Sequence, residues 1–154
     1  VISNGDPLEI YTSRDGEVIF KKYSMLGGVE DFAGQLCETM SRSTGSICAV
    51  TDRDTVISVA GGGKRELLGK RITPELEQVM ESRRIYQYDG ESQPIGVTDG
   101  AEKLMTNIAA PILSEGDLLG LVLFIGTNPG PAAGEAEYKL AQTIAAFLGR
   151  HLES

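Results

Sequence analysis

The stretch TNIAAPILSEGDLLGLVLFI, residues 106–125, decides the fold class. Two apolar runs, 106–113 and 118–125, flank the polar segment Glu115–Asp117, whose central glycine suits a tight turn. Strands that a tight turn joins are antiparallel. Pro111 has no N–H to donate to a sheet, so we expect it at an edge or at a bulge. The stretch therefore predicts a hairpin in an antiparallel sheet.

Shorter elements precede this hairpin. We predict strands at 46–51, 56–60 and 85–88, weak strand character at 94–98, a helical turn at 64–68 and a helix at 75–82. Thr73 is a typical N-cap residue, and Pro74 after it suits the first turn of that helix. The Gly61–Gly63 triplet is typical of a turn that ends a strand, rather than of a phosphate cradle.

A longer helix is predicted at each end of this region. Apolar residues recur at helical spacing over 29–42, and Pro131 is expected to open a helix over 132–152. Two terminal helices around sequential strands favour an α+β fold. We expect a central antiparallel sheet with the N- and C-terminal helices on one face.

The last helix carries more apolar surface than one sheet face needs. Besides an apolar stripe, it has a second side of small alanines that would let another helix approach closely. Packing in a groove of the same chain would explain this, but we favour a homodimer through the first and last helices. The predicted interface residues are Phe32, Leu36, Met40, Leu140, Ile144, Phe147 and Leu148.

Composition excludes several classes of protein. The net charge of −8 opposes nucleic-acid binding, which normally uses a basic surface. No apolar run approaches the roughly 20 residues of a membrane span, so we expect no membrane partner. Cys37, Cys48 and His151 do not form a zinc-binding pattern, and we predict no metal site. The two cysteines fit a reducing cytoplasm, with a Cys37–Cys48 disulfide as the minor alternative.

Motifs for catalysis are missing from the sequence. It has no P-loop and no GxSxG segment, and its one histidine lies near the C-terminus. We therefore predict no catalytic residue, no cofactor and no enzymatic activity. A small molecule could still bind between the sheet and the loops. The candidate ligand contacts are Lys64, Arg65, Arg83, Tyr86, Tyr88 and Thr106.

Two segments resemble known families. Residues 5–23, GDPLEIYTSRDGEVIFKKY, are similar to the second half of an AbrB-type swapped-hairpin DNA-binding domain. The run from Ala110 to Gly120, with a proline-bearing strand, a tight turn and a glycine, resembles a GAF domain. The resemblance divides the chain into a partial hairpin at 1–23, a linker at 24–28 and a GAF-like sensor and dimerisation domain at 29–154.

Together the two parts resemble transcription regulators of spore-forming bacteria. This resemblance implies GAF-mediated dimers, which the hairpins could join into tetramers. The family's DNA-contacting arginines precede the segment at Gly5 and have no counterpart here, so we expect DNA binding only in the full-length protein. The resemblance names no effector.

Three hypotheses for function stay open. The first is a sensor whose small-molecule ligand biases the geometry of a dimer, and an open cavity with polar groups would favour it. The second is a structural dimerisation module, favoured if Leu67, Leu68 or Tyr86 fills the pocket. The third, least favoured, is a redox enzyme of the methionine-sulfoxide-reductase kind, which needs a set of neighbouring cysteines.

Overall fold

The computed structural model describes residues 30–151, which form a five-stranded sheet and four helices. The predicted hairpin at 1–23 and the linker at 24–28 lie outside the described residues. The elements are α1 (Glu30–Thr44), β1 (Ile47–Thr51), β2 (Val56–Ala60), α2 (Lys64–Leu67), α3 (Pro74–Ser82), β3 (Tyr86–Gln87), β4 (Leu104–Ser114), β5 (Asp117–Thr127) and α4 (Glu135–His151).

The hairpin predicted from residues 106–125 is the middle of the sheet. Its strands β4 and β5 pair from Leu104–Thr127 to Ser114–Asp117, and the strand order is β2-β1-β5-β4-β3, antiparallel throughout. Pro111 pairs with Leu121 on one side and lies beyond the short β3, which reaches only Ile108 and Ala109. Of the two predicted positions, an edge or a bulge, the structure shows an edge, where an N–H is not required.

Helices cover both faces of the sheet. On one face α1 and α4 enclose a core that includes Cys37, Met40 and Leu148. On the other face α2 and α3 contribute Leu67, Leu76 and Met80 to a second core. The α+β class and the shared face of the two terminal helices are therefore confirmed.

Two of the predicted elements differ in the structure. The last helix begins at Glu135 rather than at 132, because the preceding segment is tied to β3: the Ala133 N–H donates to the Tyr88 carbonyl at 3.0 Å, and Gln87 Nε2 donates to the Ala133 carbonyl at 3.1 Å. Residues 94–98 form no strand, only single pairings such as Ile72 with Thr98.

The alanines of α4 have a different role from the one predicted. Ala141, Ala145 and Gly149, four residues apart, are buried and form the side of α4 that packs on the sheet. A Cβ atom on Gly149 would collide with the backbone carbonyl of Leu113 in β4. The small side chains thus let α4 approach its own sheet closely, so this side is not available to another helix.

Gly149→Ala should therefore destabilise the domain. The colliding atom belongs to the β4 backbone and cannot rotate away, so we expect a loss of about 1–3 kcal/mol in the free energy of unfolding. The matched control is Gly34→Ala in α1, where an added Cβ meets nothing within 4 Å and should stabilise the helix by about 0.5–1 kcal/mol. Urea unfolding measures both, and equal midpoints for the two variants would contradict this packing.

Candidate ligand cleft and helical surface

A cleft of about 760 Å³ lies between α3 and the segment 93–104. We call it the cleft. One wall is α3, the other is the irregular segment, and Asn128 after β5 closes one side. Its lining residues are Thr73, Glu75, Gln78, Val79, Ser82, Gln93, Pro94, Ile95, Gly96, Thr98, Asp99, Gly100, Ala101, Glu102, Leu104 and Asn128.

Hydrogen bonds from Thr73 join the two walls. Its hydroxyl accepts from the Leu76 N–H at 3.1 Å, which confirms the predicted N-cap, and donates to the Gly96 carbonyl at 2.8 Å. Its N–H donates to the Val97 carbonyl at 3.0 Å. A buried residue with three such bonds holds the start of α3 and the opposite wall at a defined separation.

Two buried hydroxyl groups lie on the same side of the sheet as the cleft. Thr106 Oγ1 and Tyr86 Oη are buried and have no hydrogen-bond partner among the described residues. Thr106 is fully buried, and its N–H donates to the carbonyl of Ile95, a lining residue. Leu104, two residues earlier on the same face of β4, also lines the cleft. A buried hydroxyl without a hydrogen-bond partner costs free energy.

The environment of Tyr86 acts on its ionisation. Burial of the phenol raises its pKa, and the neighbouring Asp89 and Tyr88 raise it further. The Tyr86 hydroxyl therefore stays protonated at neutral pH, and it can donate a hydrogen bond.

The six predicted ligand contacts are not brought together. Lys64 and Arg65 are exposed on α2, and Arg83 is exposed at the end of α3, where its guanidinium donates to the Gly116 carbonyl at 3.4 Å. Tyr88, which directly follows β3, is 6% exposed. Of the six residues, Lys64 lines a different cavity, of about 400 Å³, and none lines the cleft. Thr106 and Tyr86 lie on the sheet itself, on the face that α2 and α3 cover.

The residues that do line the cleft had weak signals in the sequence. The Thr73–Pro74 cap located the start of one wall, and the glycine-rich composition of 89–103 located the other as irregular. The sequence does not reveal the contact between the two walls, which is a hydrogen bond from Thr73 to Gly96, 23 positions later in the chain.

The interior between the sheet and α2–α3 is filled. Leu67 and Leu76 are fully buried there, and Met80 is 1% exposed. Leu68 is 42% exposed and does not fill this space. The open volume is therefore at the surface, in the cleft, rather than inside the core.

On the opposite face, α1 and α4 present a partly apolar surface. Phe147 is 47% exposed, and its ring centroid lies 5.8 Å from that of Phe32 and 6.1 Å from that of His151. We call this the helical surface. Its members are Phe32, Leu36, Leu140, Ile144 and Phe147. Met40 and Leu148, predicted at the interface, are buried in the domain's own core and do not belong to it.

The cysteines are free and buried, so the disulfide alternative is wrong. Burial raises the pKa of Cys37 to about 11, although its hydrogen-bonding contact with Ser58 at 3.2 Å lowers it. Burial, followed by the nearby Cys37, raises the pKa of Cys48 to about 12. Thiols with such values are protonated at neutral pH and are poor nucleophiles.

The described part of the chain has neither a cluster of metal-ligating side chains nor a membrane-spanning helix. Residues 30–151 contain no group of three or more His, Cys, Asp or Glu side chains placed to hold a metal ion. None of the helices in this range is long and apolar enough to cross a membrane.

Comparisons with solved structures show the fold. The type II free methionine-R-sulfoxide reductase from Thermoplasma acidophilum superimposes with a TM-score of 0.61 at 12% identity, over 84% of this chain and 95% of that one. The cofactor-binding GAF domain of the nutrient sensor CodY from Clostridium difficile gives 0.54 at 15% identity, over 83% and 90%. The domain therefore has a GAF-like fold.

Comparisons of sequence show the family. The family model described as Stage V sporulation protein T C-terminal, transcription factor, matches residues 28–153. Stage V sporulation protein T from Bacillus subtilis (strain 168) is 35% identical over 153 residues, which are 99% of this chain and 84% of that protein. The GAF-like core, its terminal helices and this match over nearly the whole chain lead to one conclusion: the chain belongs to the stage V sporulation protein T family of transcription factors.

Proposed function

We propose that this domain is the regulatory module of a sporulation transcription regulator, in which a small molecule bound in the cleft biases the geometry of a homodimer. The observation that carries the proposal is the cleft itself, whose two walls are joined by the hydrogen bonds of Thr73. Small-molecule sites are usually concave and combine apolar with polar side chains, as this cleft does.

The fold comparison supports a ligand. The CodY domain of the same fold is described as cofactor binding. Because fold alone does not determine function, the cleft of this chain has to carry the argument. The effector is of unknown identity, and DNA is a partner that we assign to the full-length regulator in the cytoplasm.

The sheet provides a route from the cleft to the helical surface. Along β4, Ile108 belongs to the core under α1 and α4, whereas its neighbour Ala109 belongs to the core under α3. A shift of β4 would therefore act on both layers. A ligand changes dimer geometry only if it binds one geometry more tightly than the other.

The helical surface is our proposed dimer interface. Its aromatic residues sit on two neighbouring helices, and Phe147 has about half of its side chain in water. Aromatic side chains bury a large apolar area when a partner covers them. The pairing of α1 and α4 with the same helices of a second copy would form a four-helix contact. Two such dimers joined through their hairpins would give a tetramer.

A structural module without a ligand is the second candidate. The observation that favours it is the filled interior, where Leu67 occupies the space between α2 and the sheet. A redox enzyme is disfavoured, since burial raises the pKa of both thiols. We therefore propose that the domain is not an enzyme.

Native mass spectrometry of the purified chain tests the main proposal. A dimer or tetramer that retains a defined small molecule would support the sensor. A monomer at micromolar concentration would contradict the proposed assembly. An oligomer that retains nothing, and that no compound in a metabolite panel stabilises against heat, would favour the structural module.

Phe147→Glu should weaken the dimer. The charge would be buried without a partner at the proposed interface, whereas in the monomer it stays in water and leaves the fold intact. We expect a loss of at least about 2 kcal/mol, or thirtyfold, in dimerisation. Sedimentation velocity across a dilution series measures this.

The matched control is Gln142→Glu, an exposed position on another side of α4 with the same added charge. Ile144→Glu is a second interface variant. If both interface variants sediment as the parent does, the interface lies elsewhere.

Thr106→Val tests whether the buried Thr106 hydroxyl is unpartnered. Its hydroxyl has no partner among the described residues, so its removal should leave stability unchanged or raise it by about 1 kcal/mol. The control is Thr51→Val, equally buried, whose hydroxyl donates to the Asp52 carbonyl and accepts from the Leu121 N–H.

The control should lose about 1–3 kcal/mol in thermal or urea unfolding. A similar loss for Thr106→Val would mean that the Thr106 hydroxyl has a structural partner after all.

A further inference from the structure

Positive charge is concentrated along one border of the domain. The chain has a net charge of −8 and contains 14 lysines and arginines. Six of these cations lie around β2, which is the last strand on one side of the sheet, and all six are exposed. We call this border the basic edge, and its members are Arg42, Arg53, Lys64, Arg65, Lys70 and Arg71. The acidic character of the whole chain thus does not extend to this border.

Backbone pairing places three of the cations beside the start of β2. Arg53 lies in the turn that leads from β1 to β2. The Val56 N–H donates to the Lys70 carbonyl at 3.0 Å, and Thr55 pairs with Arg71 in an antiparallel bridge. The segment that carries Lys70 and Arg71 is therefore held against the outer side of the strand.

The end of β2 leads into a cavity between two further cations. Arg42, in the last turn of α1, and Lys64, at the start of α2, line this cavity of about 400 Å³ together with Ser41 and Gly62. The Ser41 hydroxyl and the Gly62 N–H donate to no other described residue. Hydroxyl and backbone N–H groups, like lysine and arginine, commonly donate hydrogen bonds to phosphate oxygens.

The carboxylates near the basic edge neutralise it only in part. Glu38 lies 4.0 Å from the Arg42 guanidinium, and among residues 30–151 the other five cations form no ion pair. Asp52 accepts two backbone N–H groups of its own turn, both at 2.8 Å. Glu66 lines a separate cavity, of about 500 Å³, and Asp54 is exposed in the turn before β2. The border therefore keeps an excess of positive charge.

The length of the basic edge favours a long polyanion over a small anion. Arg53 and Lys64 flank β2, whose five residues span roughly 16 Å. A single phosphate or carboxylate group reaches only one end of such a border. Duplex DNA carries one negative charge per about 1.7 Å of its axis, so a duplex lying along β2 presents roughly ten charges over this length.

Because the chain belongs to a family of transcription factors, duplex DNA is the polyanion that the full-length regulator meets. We infer that the basic edge contacts the phosphate backbone of duplex DNA without reading its sequence. Contacts of this kind position a protein on DNA and add affinity, but they carry no sequence information. The inference goes beyond the proposed function, since it involves neither the cleft nor its ligand.

DNA binding by the purified chain tests the inference. A fluorescein-labelled duplex of about 20 base pairs is titrated at sodium chloride concentrations from about 20 to about 200 mM, and fluorescence anisotropy gives the Kd. We expect weak binding at the lowest salt concentration, equal for two duplexes of unrelated sequence. The logarithm of the binding constant should fall with the logarithm of the salt concentration, with a slope of about −0.9 for each phosphate contact.

Two double variants remove charge from the two ends of the border. They are Lys64→Gln/Arg65→Gln beyond the end of β2 and Lys70→Gln/Arg71→Gln beside its start. Each should bind the duplex at least about fivefold more weakly at the lowest salt concentration, and each should reduce the steepness of the salt dependence by about one to two.

The matched control is Arg84→Gln/Lys139→Gln. It removes two exposed positive charges that lie outside the basic edge and changes the net charge by the same amount. Its affinity and salt dependence should stay close to those of the parent chain. Unchanged circular dichroism shows that all three variants fold.

Several results would overturn the inference. One is the absence of DNA binding at the lowest salt concentration. Another is DNA binding that both edge variants keep, because a different part of the chain would then hold the duplex. An equal loss in the control would attribute binding to net charge, and a loss in only one edge variant would contradict a contact along the whole border. Edge variants that alter sedimentation of the chain, but not DNA affinity, would make the border a contact between copies instead.

Discussion

The rest of the structure depends on burial of the β4–β5 hairpin from both sides. Residues 118–125 of β5 are buried without interruption, because β1 and β4 flank the strand and helices lie above and below it. Apolar side chains on both faces of a strand gain stability only if both faces are removed from water. The domain removes both faces from water by placing α1 and α4 on one face and α2 and α3 on the other.

This layering separates two surfaces with different chemistry. On the face covered by the terminal helices, the outer surface carries aromatic and aliphatic side chains, of which Phe147 is the most exposed. On the other face, the outer surface contains the cleft, which is lined by carboxylates and by apolar side chains. The strands between them have side chains in both cores, so a single sheet lies between the two surfaces. A regulator needs this arrangement if one surface is to respond to events at the other.

The small residues of α4 illustrate how the tertiary structure reverses a plausible interpretation. Alanines on one side of a helix predict a close neighbour, and the neighbour was expected to be a second copy. Ala141 and Ala145 instead face the sheet, and Gly149 touches the β4 backbone at Leu113. The stripe with Leu140, Ile144 and Phe147 is the side that keeps solvent exposure. The side-chain pattern of a helix indicates how closely a neighbour can approach each side. It does not indicate which neighbour packs there.

The sequence by itself determined the α+β class, the antiparallel β4–β5 hairpin and the N-cap at Thr73, because each depends on residues close together in the chain. For Pro111 it left an edge and a bulge open, and the shortness of β3 decided between them. Its resemblance to a GAF domain was equally local, resting on the run around the turn at Gly116. The cleft was decided only in the folded domain. It exists because Thr73 reaches Gly96 and because α3 packs beside β4, and both contacts join residues that are far apart in the chain. Lys64, Arg65 and Arg83 have suitable chemistry for ligands, but the tertiary structure places their side chains in solvent, away from it.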